Sequence, residues 1–282
     1  MDKNSILNVT VSLYSSYTDP NPVDVNLQMF IDSRKHKDKI DAIRSMAEKV
    51  DRDKAKALLP AITPSGTFTY RDEKHLVKHS GFVQFDIDYK GNEHIDNFED
   101  ITHEIGKLPY IAYCGFSASG YGIWGLVPIA YPDKHKLHLQ ALKNIFKSYG
   151  IKCDTAPSNV ASLRGYSYDD NPHINHHAEL FTQITKPQDI KIYRNLSYET
   201  STERTFERAV RKTQQTEIFM DGAKHSFLVR LAGYCNAVGL EYQTVVELVE
   251  QNFRSLTNPD VDLEKPINNV YKGYKHQFAE YA

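Results

Sequence analysis

Cysteine is scarce in this chain: Cys114, Cys153 and Cys235 are the only three in 282 residues, far apart and without a CxxC pair. So odd and scattered a set argues against a disulfide framework and against a structural zinc, and it suits a reducing compartment. Long apolar runs are missing too. No stretch reaches the roughly 20 residues that a membrane-spanning helix needs, and the opening MDKNSILNVTVSLY lacks the basic-then-apolar plan of a signal peptide. These absences predict a cytoplasmic protein with no membrane partner. Nor is one charge in excess. The formal net charge is −2, so the global balance does not advertise nucleic acid, and any such contact must come from local patches. Two basic runs, Arg34 to Lys39 and the set Arg204, Arg208, Arg211 and Lys212, interleave with acids and read as solvated helix faces.

What is present is the composition of a soluble globular protein, 40% hydrophobic and 25% charged, on a chain long enough for two domains. An alternating stretch (Val9, Val11, Leu13) opens it, and a Lys-rich helical pattern runs from about Asp38 to Leu59 before Pro60 and the turn signal Thr63 to Gly66. Periodicity then predicts strands at 81–88, 109–116, 123–129, 163–168 and 178–183, and helices at about 95–106 and 133–149. Strands 109–116 and 123–129 lie only a short loop apart, which favours a mostly antiparallel sheet. Residues 185–202 read as a linker. Beyond it everything is helical: Phe227, Leu228, Leu231, Cys235 and Val238 make one stripe, and Gly239 is placed to end that helix in a left-handed cap. Further helices carry Tyr242, Val245, Val246, Val249 and Phe253, then Ile267, Val270, Tyr271, Tyr274 and Phe278. The fold class is therefore α+β: a two-layer domain over 1–190, a linker and helix over 191–220, and a small helical bundle over 221–282.

Chemistry concentrates in GFVQFDIDYKG, Gly81 to Gly91. At a strand's period of two, Val83, Phe85, Ile87 and Tyr89 share one face, and Gln84, Asp86 and Asp88 the other. Two carboxylates side by side repel unless a cation sits between them, and a divalent metal is the usual answer. The plainer reading is a strand end whose acids face water. The loop Ser117 to Gly122, SASGYG, lies between two apolar strands. Its Ser117, Ser119, Gly120 and Gly122 suit either backbone N–H groups turned to a phosphate or the geometry of an ordinary hairpin. Asp154 follows an apolar helix as a possible third acid, and Arg164 sits on a strand where a guanidinium could grip a phosphate.

The stretches LLPAITPSGTF, HSGFVQFDIDYKG, SASGYGIWGLVPI, the Asp154 segment and LRGYSYDDNP, in that order, resemble the N-terminal domain of VirE-type primase–helicases of bacterial mobile elements. That domain belongs to the archaeo-eukaryotic primase superfamily. The tail IFMDGAKHSFLVRLAGYCNAVG is similar to the helical, primase C-terminal-like module that follows it. The resemblance implies a primase-like catalytic domain in which Asp86, Asp88 and Asp154 are catalytic and hold Mg2+ or Mn2+. It implies that the glycine loop and Arg164 hold nucleotide. It also marks a departure: Trp124 stands where that superfamily places a histidine, and Tyr121 where its loop carries a lysine. Trp124 then either stacks a base or packs in the core.

Two functions follow from this. One is a metal-dependent primase or polymerase of a mobile element or phage, working on single-stranded DNA template with nucleoside triphosphates. The other is a degenerate primase fold that binds single strands or nucleotide and works with a separate helicase. The remaining candidates have plain readings: His173 to His177 as a surface loop, Asp169 and Asp170 as a turn, and Cys153 as a small buried residue.

Overall fold

A computed structural model describes residues 4–186 and 201–281. The chain divides into two compact units, Met1–Thr185 and Lys186–Ala282. Most of the expected linker falls outside the described residues. The architecture is α+β with antiparallel sheets, as the sequence predicts.

The first unit begins with β1 (Thr10–Tyr14), β2 (Val23–Asn26), α1 (Leu27–Asp32), α2 (Lys37–Ser45) and α3 (Lys49–Ala57). The continuous helical pattern expected over 38–59 is thus broken in two. Residues Met46 to Glu48 interrupt it, and the Arg52 guanidinium donates back to the carbonyls of Met46 at 2.6 Å and Ala47 at 2.7 Å. Next come β3 (Ala61–Thr63), β4 (Gly66–Phe68), β5 (Leu76–His79), β6 (Phe82–Asp88), α4 (Ile101–Gly106), β7 (Tyr113–Phe116), β8 (Gly122–Pro128), α5 (His135–Ser148), β9 (Arg164–Gly165) and β10 (His173–Ile174). One sheet has the order β2-β1-β3-β9, a second β10-β7-β8-β6, and β4 pairs with β5 alone.

Alternation along β6 explains how the layers form. Val83, Phe85 and Ile87 face α4 and α5 in one core with Ile101, Leu142 and Phe146. Phe82 points the other way, into a core shared with Trp124 and Leu126 of the same sheet, Val11 and Ile62 of the other, and Tyr166 just after β9. The second sheet is therefore covered on both faces at one end. Toward the other end the inner face opens: Phe82 is 1% exposed, Gln84 2%, and Asp88 lies exposed.

Several expected elements are shorter, for identifiable reasons. Strand β7 starts at Tyr113, because a Leu108–Ile111 turn (Ile111 N–H to Leu108 carbonyl, 3.0 Å) occupies the residues before it. No strand forms over 178–183. Phe181 donates to the Pro128 carbonyl at 2.8 Å and Glu179 to the Pro109 carbonyl at 3.0 Å, and neither proline has an N–H to return. Only an isolated parallel bridge, Ile129 to Phe181, results. The strand expected over 163–168 shrinks to β9. Helix α4 begins at Ile101 rather than near 95, after a short 3-10 turn over Phe98–Asp100. The histidine run is not wholly a loop, since His173 and Ile174 form β10 against Cys114 and Tyr113.

The second unit contains α6 (Ser201–Gln214), α7 (Lys224–Ala237), α8 (Tyr242–Phe253) and α9 (Glu264–Gly273). Phe206, Ala209 and Val210 of α6 join the same core as α7 to α9, so this helix is part of the bundle rather than a connector to it. Phe219 packs edge to face on Phe227 and Phe253 at its centre, and those two are tilted against each other, with ring centroids 4.8 to 5.7 Å apart. Gly239 takes φ +78° after α7, as expected of a left-handed cap. The helix α9 ends sooner than the apolar pattern suggests, leaving Tyr274 50% and Phe278 39% exposed. No helix among the described residues is long and apolar enough to cross a membrane.

Gly125 of β8 is the tightest point of the second sheet. A methyl group there would lie 2.2 Å from Phe85 Cζ and 2.6 Å from the Tyr113 carbonyl oxygen, and the latter is backbone that cannot step aside. Gly125→Ala should therefore destabilise the chain by about 1–3 kcal/mol through overpacking. Urea denaturation checks this, and an unchanged midpoint would contradict the packing described.

Candidate acidic active site

Asp86 and Asp88 lie on the inner, opening face of β6, beside Gln84, as the period of two requires. Strand β6 is the last in its sheet, so one of its edges is free of strand pairing. The segment that contains Asp154 covers that edge: the Asp154 N–H donates to the Asp86 carbonyl at 2.8 Å. Asn92, fully buried, clips the same segment in place. Its Nδ2 donates to the carbonyls of Asp88 (2.7 Å) and Lys152 (2.9 Å), and its Oδ1 accepts from the Lys152 N–H at 2.8 Å. Asp154, distant in sequence, is thereby gathered with Asp86 and Asp88 along one strand edge.

Their charges interact. The Asp88 carboxyl is pushed above its ordinary pKa, first by desolvation and then by the like charges of Asp86 and Asp154, with Arg164 and Lys56 only partly offsetting this. Asp88 is exposed by surface area, so the desolvation comes from protein atoms crowded on its inner side. Gly122 makes that crowding possible: a methyl group there would sit 2.8 Å from Asp88 Oδ1. The Asp154 Oδ1 accepts from the Thr155 N–H at 2.6 Å.

Asp86 differs from its neighbours because it has a counter-ion. Arg164 pairs in β9 with Ile62 of the first sheet and reaches across to the second. Its Nη2 meets Asp86 Oδ2 at 2.8 Å and its Nε donates to Gln84 Oε1 at 3.2 Å. Burial works against the guanidinium charge, yet Asp86 outweighs it and the Arg164 pKa is raised. The guanidinium also stands 5.3 Å above the Trp124 ring centroid. Arg164 is thus engaged with a carboxylate and only 9% exposed, which commits it to Asp86 rather than leaving it open to a phosphate.

Trp124 does not offer a stacking platform. It is 2% exposed, its Nε1 donates to Ser167 Oγ at 2.8 Å, and Tyr113 packs on it with centroids 4.5 Å apart. Of the two sequence readings, the core residue is the one the structure bears out. Cys153 is likewise a packing residue, since burial pushes its thiol up to about 12.

The loop Ser117–Gly122 spends part of its polar capacity on itself. Ser117 N–H donates to the Gly122 carbonyl (2.8 Å) and Gly120 N–H to the Ser117 carbonyl (3.0 Å), while the Ser117 and Ser119 hydroxyls lie 3.4 Å apart. Gly120 takes φ +77°, which glycine alone adopts freely. Positive charge reaches the loop from residues that no local motif singles out. Arg44 of α2 donates to the Ser117 carbonyl at 3.2 Å and the Tyr168 carbonyl at 2.5 Å. Arg52 of α3 stands 4.9 Å over the Tyr121 ring, and the charge of Lys56 is felt at Asp88. On the other side, Lys143 of α5 donates to the Thr155 carbonyl at 2.9 Å; desolvation lowers its pKa, opposed by Cys153, Asp154 and Asp86. Arg44, Arg52 and Lys56 lie far in sequence from the acids, and only the fold brings them near.

Among the described residues no three His, Cys, Asp or Glu side chains already converge as a metal cluster. The acids nonetheless suit a divalent cation by chemistry: they are hard oxygen donors, and Asp88 carries negative charge that the surroundings do not fully balance. Ligation would require the carboxylates to turn toward one point.

The family described as BT4734-like, N-terminal domain, matches residues 54–173, under half of the chain. That segment contains Asp86, Asp88, the glycine loop, Asp154 and Arg164. No curated protein matches the chain, and no solved structure matches it.

Two outcomes follow from this geometry. Arg164→Ala should destabilise the first unit by about 3–5 kcal/mol, because it strands a half-buried Asp86 charge. The double variant Arg164→Ala/Asp86→Ala should lose less than the sum of the single ones. Strict additivity in a denaturation cycle would deny the coupling. Asp88 has a folded-state pKa above its unfolded value, so the stability it contributes is fully present below about pH 4 and is lost as pH rises through the raised value. Asp88→Asn should thus be more stable than wild type at neutral pH, with the difference vanishing in acid. Melting curves across pH test it, and an Asn variant less stable at neutral pH would refute it.

Proposed function

We propose that the first unit performs metal-dependent nucleotidyl transfer of the archaeo-eukaryotic primase type, on single-stranded DNA template with nucleoside triphosphates, in the replication of a mobile element or phage. The observation that carries this reading is the electrostatic coupling of Asp88 to both Asp86 and Asp154 across a strand edge. Carboxylates gathered this way are unfavourable without a cation to relieve them. The order of motifs along the chain, which resembles VirE-type primase–helicases, supports the same class.

Asp88 and Asp154, with the Asp86 oxygen not facing Arg164, would hold Mg2+ or Mn2+. When bound, such ions activate a 3′-hydroxyl and neutralise the leaving pyrophosphate. Arg164 acts as a positioning residue that fixes the Asp86 carboxylate. Gly122 leaves room for Asp88 against β8, and Arg44 holds the loop from behind. Arg52 and Lys56 supply attraction for phosphates that the loop, with Tyr121 in it, does not contain. A helicase would be the partner in that replication.

A second reading has one observation in its favour: Asp86 already has a counter-ion in Arg164. On that reading the domain binds single strands or nucleotide without catalysis and serves a separate helicase.

Primer synthesis separates the two. Wild type and the Asp86→Asn/Asp88→Asn variant are incubated with single-stranded template, Mn2+ and labelled nucleotides, with circular dichroism confirming that the variant folds. Product from wild type alone supports transferase activity at these acids. Product from both rejects the acidic site. No product from wild type, with template still retained in a gel shift, leaves the binding module.

A further inference from the structure

The second unit contains a cleft of about 500 Å3, within the size range of small-molecule sites, that the acidic site does not involve. Tyr242, Tyr271 and Phe278 form its apolar walls, Lys272 and Lys275 line it with positive charge, and Asn236 also contributes to the lining. The two tyrosines are held in place by their hydroxyls. Tyr242 donates to Glu264 at 2.5 Å and Tyr271 to the Leu240 carbonyl at 2.6 Å, so their rings stand fixed with centroids 5.6 Å apart. Phe278 lies beyond the end of α9 and keeps 39% of its surface exposed.

Asn236 is the residue that folding alone does not account for. It is 2% exposed, and its Nδ2 donates to the Tyr274 carbonyl at 3.0 Å, but its Oδ1 has no donor. A buried acceptor left without a partner costs roughly 1–3 kcal/mol. The amide lies at the wall of a cleft lined by three aromatic residues, Lys272 and Lys275, with Glu241 and Asn268 beside them, and a small opening of that wall would let an incoming N–H satisfy it. Helix α8 starts at Tyr242, its N-cap residue Glu241 makes no side-chain cap, and both residues line the same cleft.

A ligand matched to all of these has a flat ring with an N–H edge and an anionic group. Ring faces suit Tyr242, Tyr271 and Phe278, an exocyclic amine such as that of adenine or cytosine suits Asn236 Oδ1, and a phosphate suits Lys272 and Lys275. We propose that this cleft of the second unit is a nucleotide-binding site, distinct from the acidic site and independent of whether that site is catalytic. Glu241, the N-cap residue of α8, also lines the cleft, and a sugar hydroxyl is the nucleotide group that its carboxylate can accept from. The nucleotide is either free or one unit of a single strand.

The test uses the full chain with a chelator present, so that no metal-dependent binding at the acids contributes. Adenosine triphosphate and a single-stranded oligo(dA) are titrated calorimetrically into wild type and the exposed charge-reversal variant Lys272→Glu/Lys275→Glu. In parallel, 8-azidoadenosine triphosphate is photolabelled onto each and the labelled peptide identified. Wild type should bind at least one ligand, with label in the peptide containing Tyr271, and the variant should bind roughly tenfold more weakly or worse. Tighter binding of the oligomer that displaces the triphosphate would assign the site to a strand, and binding of the triphosphate alone to a free nucleotide. No binding of either ligand by wild type at millimolar concentration, equal binding by the variant, or label confined to the first unit would overturn the proposal. A chain inactive in primer synthesis that still labels near Tyr271 would separate this site from the fate of the acidic one.

Discussion

The ion pair between Arg164 and Asp86 is the constraint around which the first unit is arranged. Each partner comes from the terminal strand of a different four-stranded sheet, so the 2.8 Å contact ties the two sheets together at the rim of their shared core. Neither charge tolerates solitude there, and the environment is built to suit the pair. Gln84 accepts a second guanidinium hydrogen, Trp124 lies beneath, and Tyr17 covers Gly165 so closely that a methyl group on it would meet the tyrosine hydroxyl at 2.2 Å. A buried pair of this kind adds little net stability but is costly to break one-sidedly, which makes it a device for specifying geometry. With Asp86 paired, the charge that the surroundings offset only in part is that of Asp88.

Much of this arrangement was legible in the chain, and the parts that were not share a cause. Alternation in 82–88 placed Asp86 and Asp88 on one face, and the periodicity of α5 and α7 was plain. Those signals are local, depending on residues two to four apart. The Arg164 contact is invisible at that range, because 78 positions separate it from Asp86. A strand pattern at 163–168 suggested an arginine open to phosphate, whereas pairing of β9 with β3 turns it inward. Asn92 carried no motif at all, although its hydrogen bonds position the third acid. The strand expected at 178–183 failed for a reason present in the sequence, Pro109 and Pro128, but which strands they would face is knowable only from topology.

Positive charge near the glycine loop illustrates the same point. The segment Ser117 to Gly122 lacks a cation, which reads as a defect when the loop is considered alone. In the folded unit Arg44 and Arg52 approach it from α2 and α3. Charge at a site is a property of space, and helices rich in lysine that look like mere solvated faces can be its source. The acids and their cations together make the neutral-looking net charge of the chain a poor guide to its local fields.

The attachment of Asp154 to Asp86 has a further consequence. The link is made between main-chain atoms, and the Asn92 clip beside it also engages main-chain groups of Asp88 and Lys152. None of these bonds uses a carboxylate of the three acids. Replacement of Asp88 or Asp154 by an uncharged residue would therefore change the charge at this edge while leaving its scaffold standing, whereas replacement of Asp86 would also strand Arg164. A lineage could pass from catalysis to mere binding, or back, by altering side chains upon an unaltered frame.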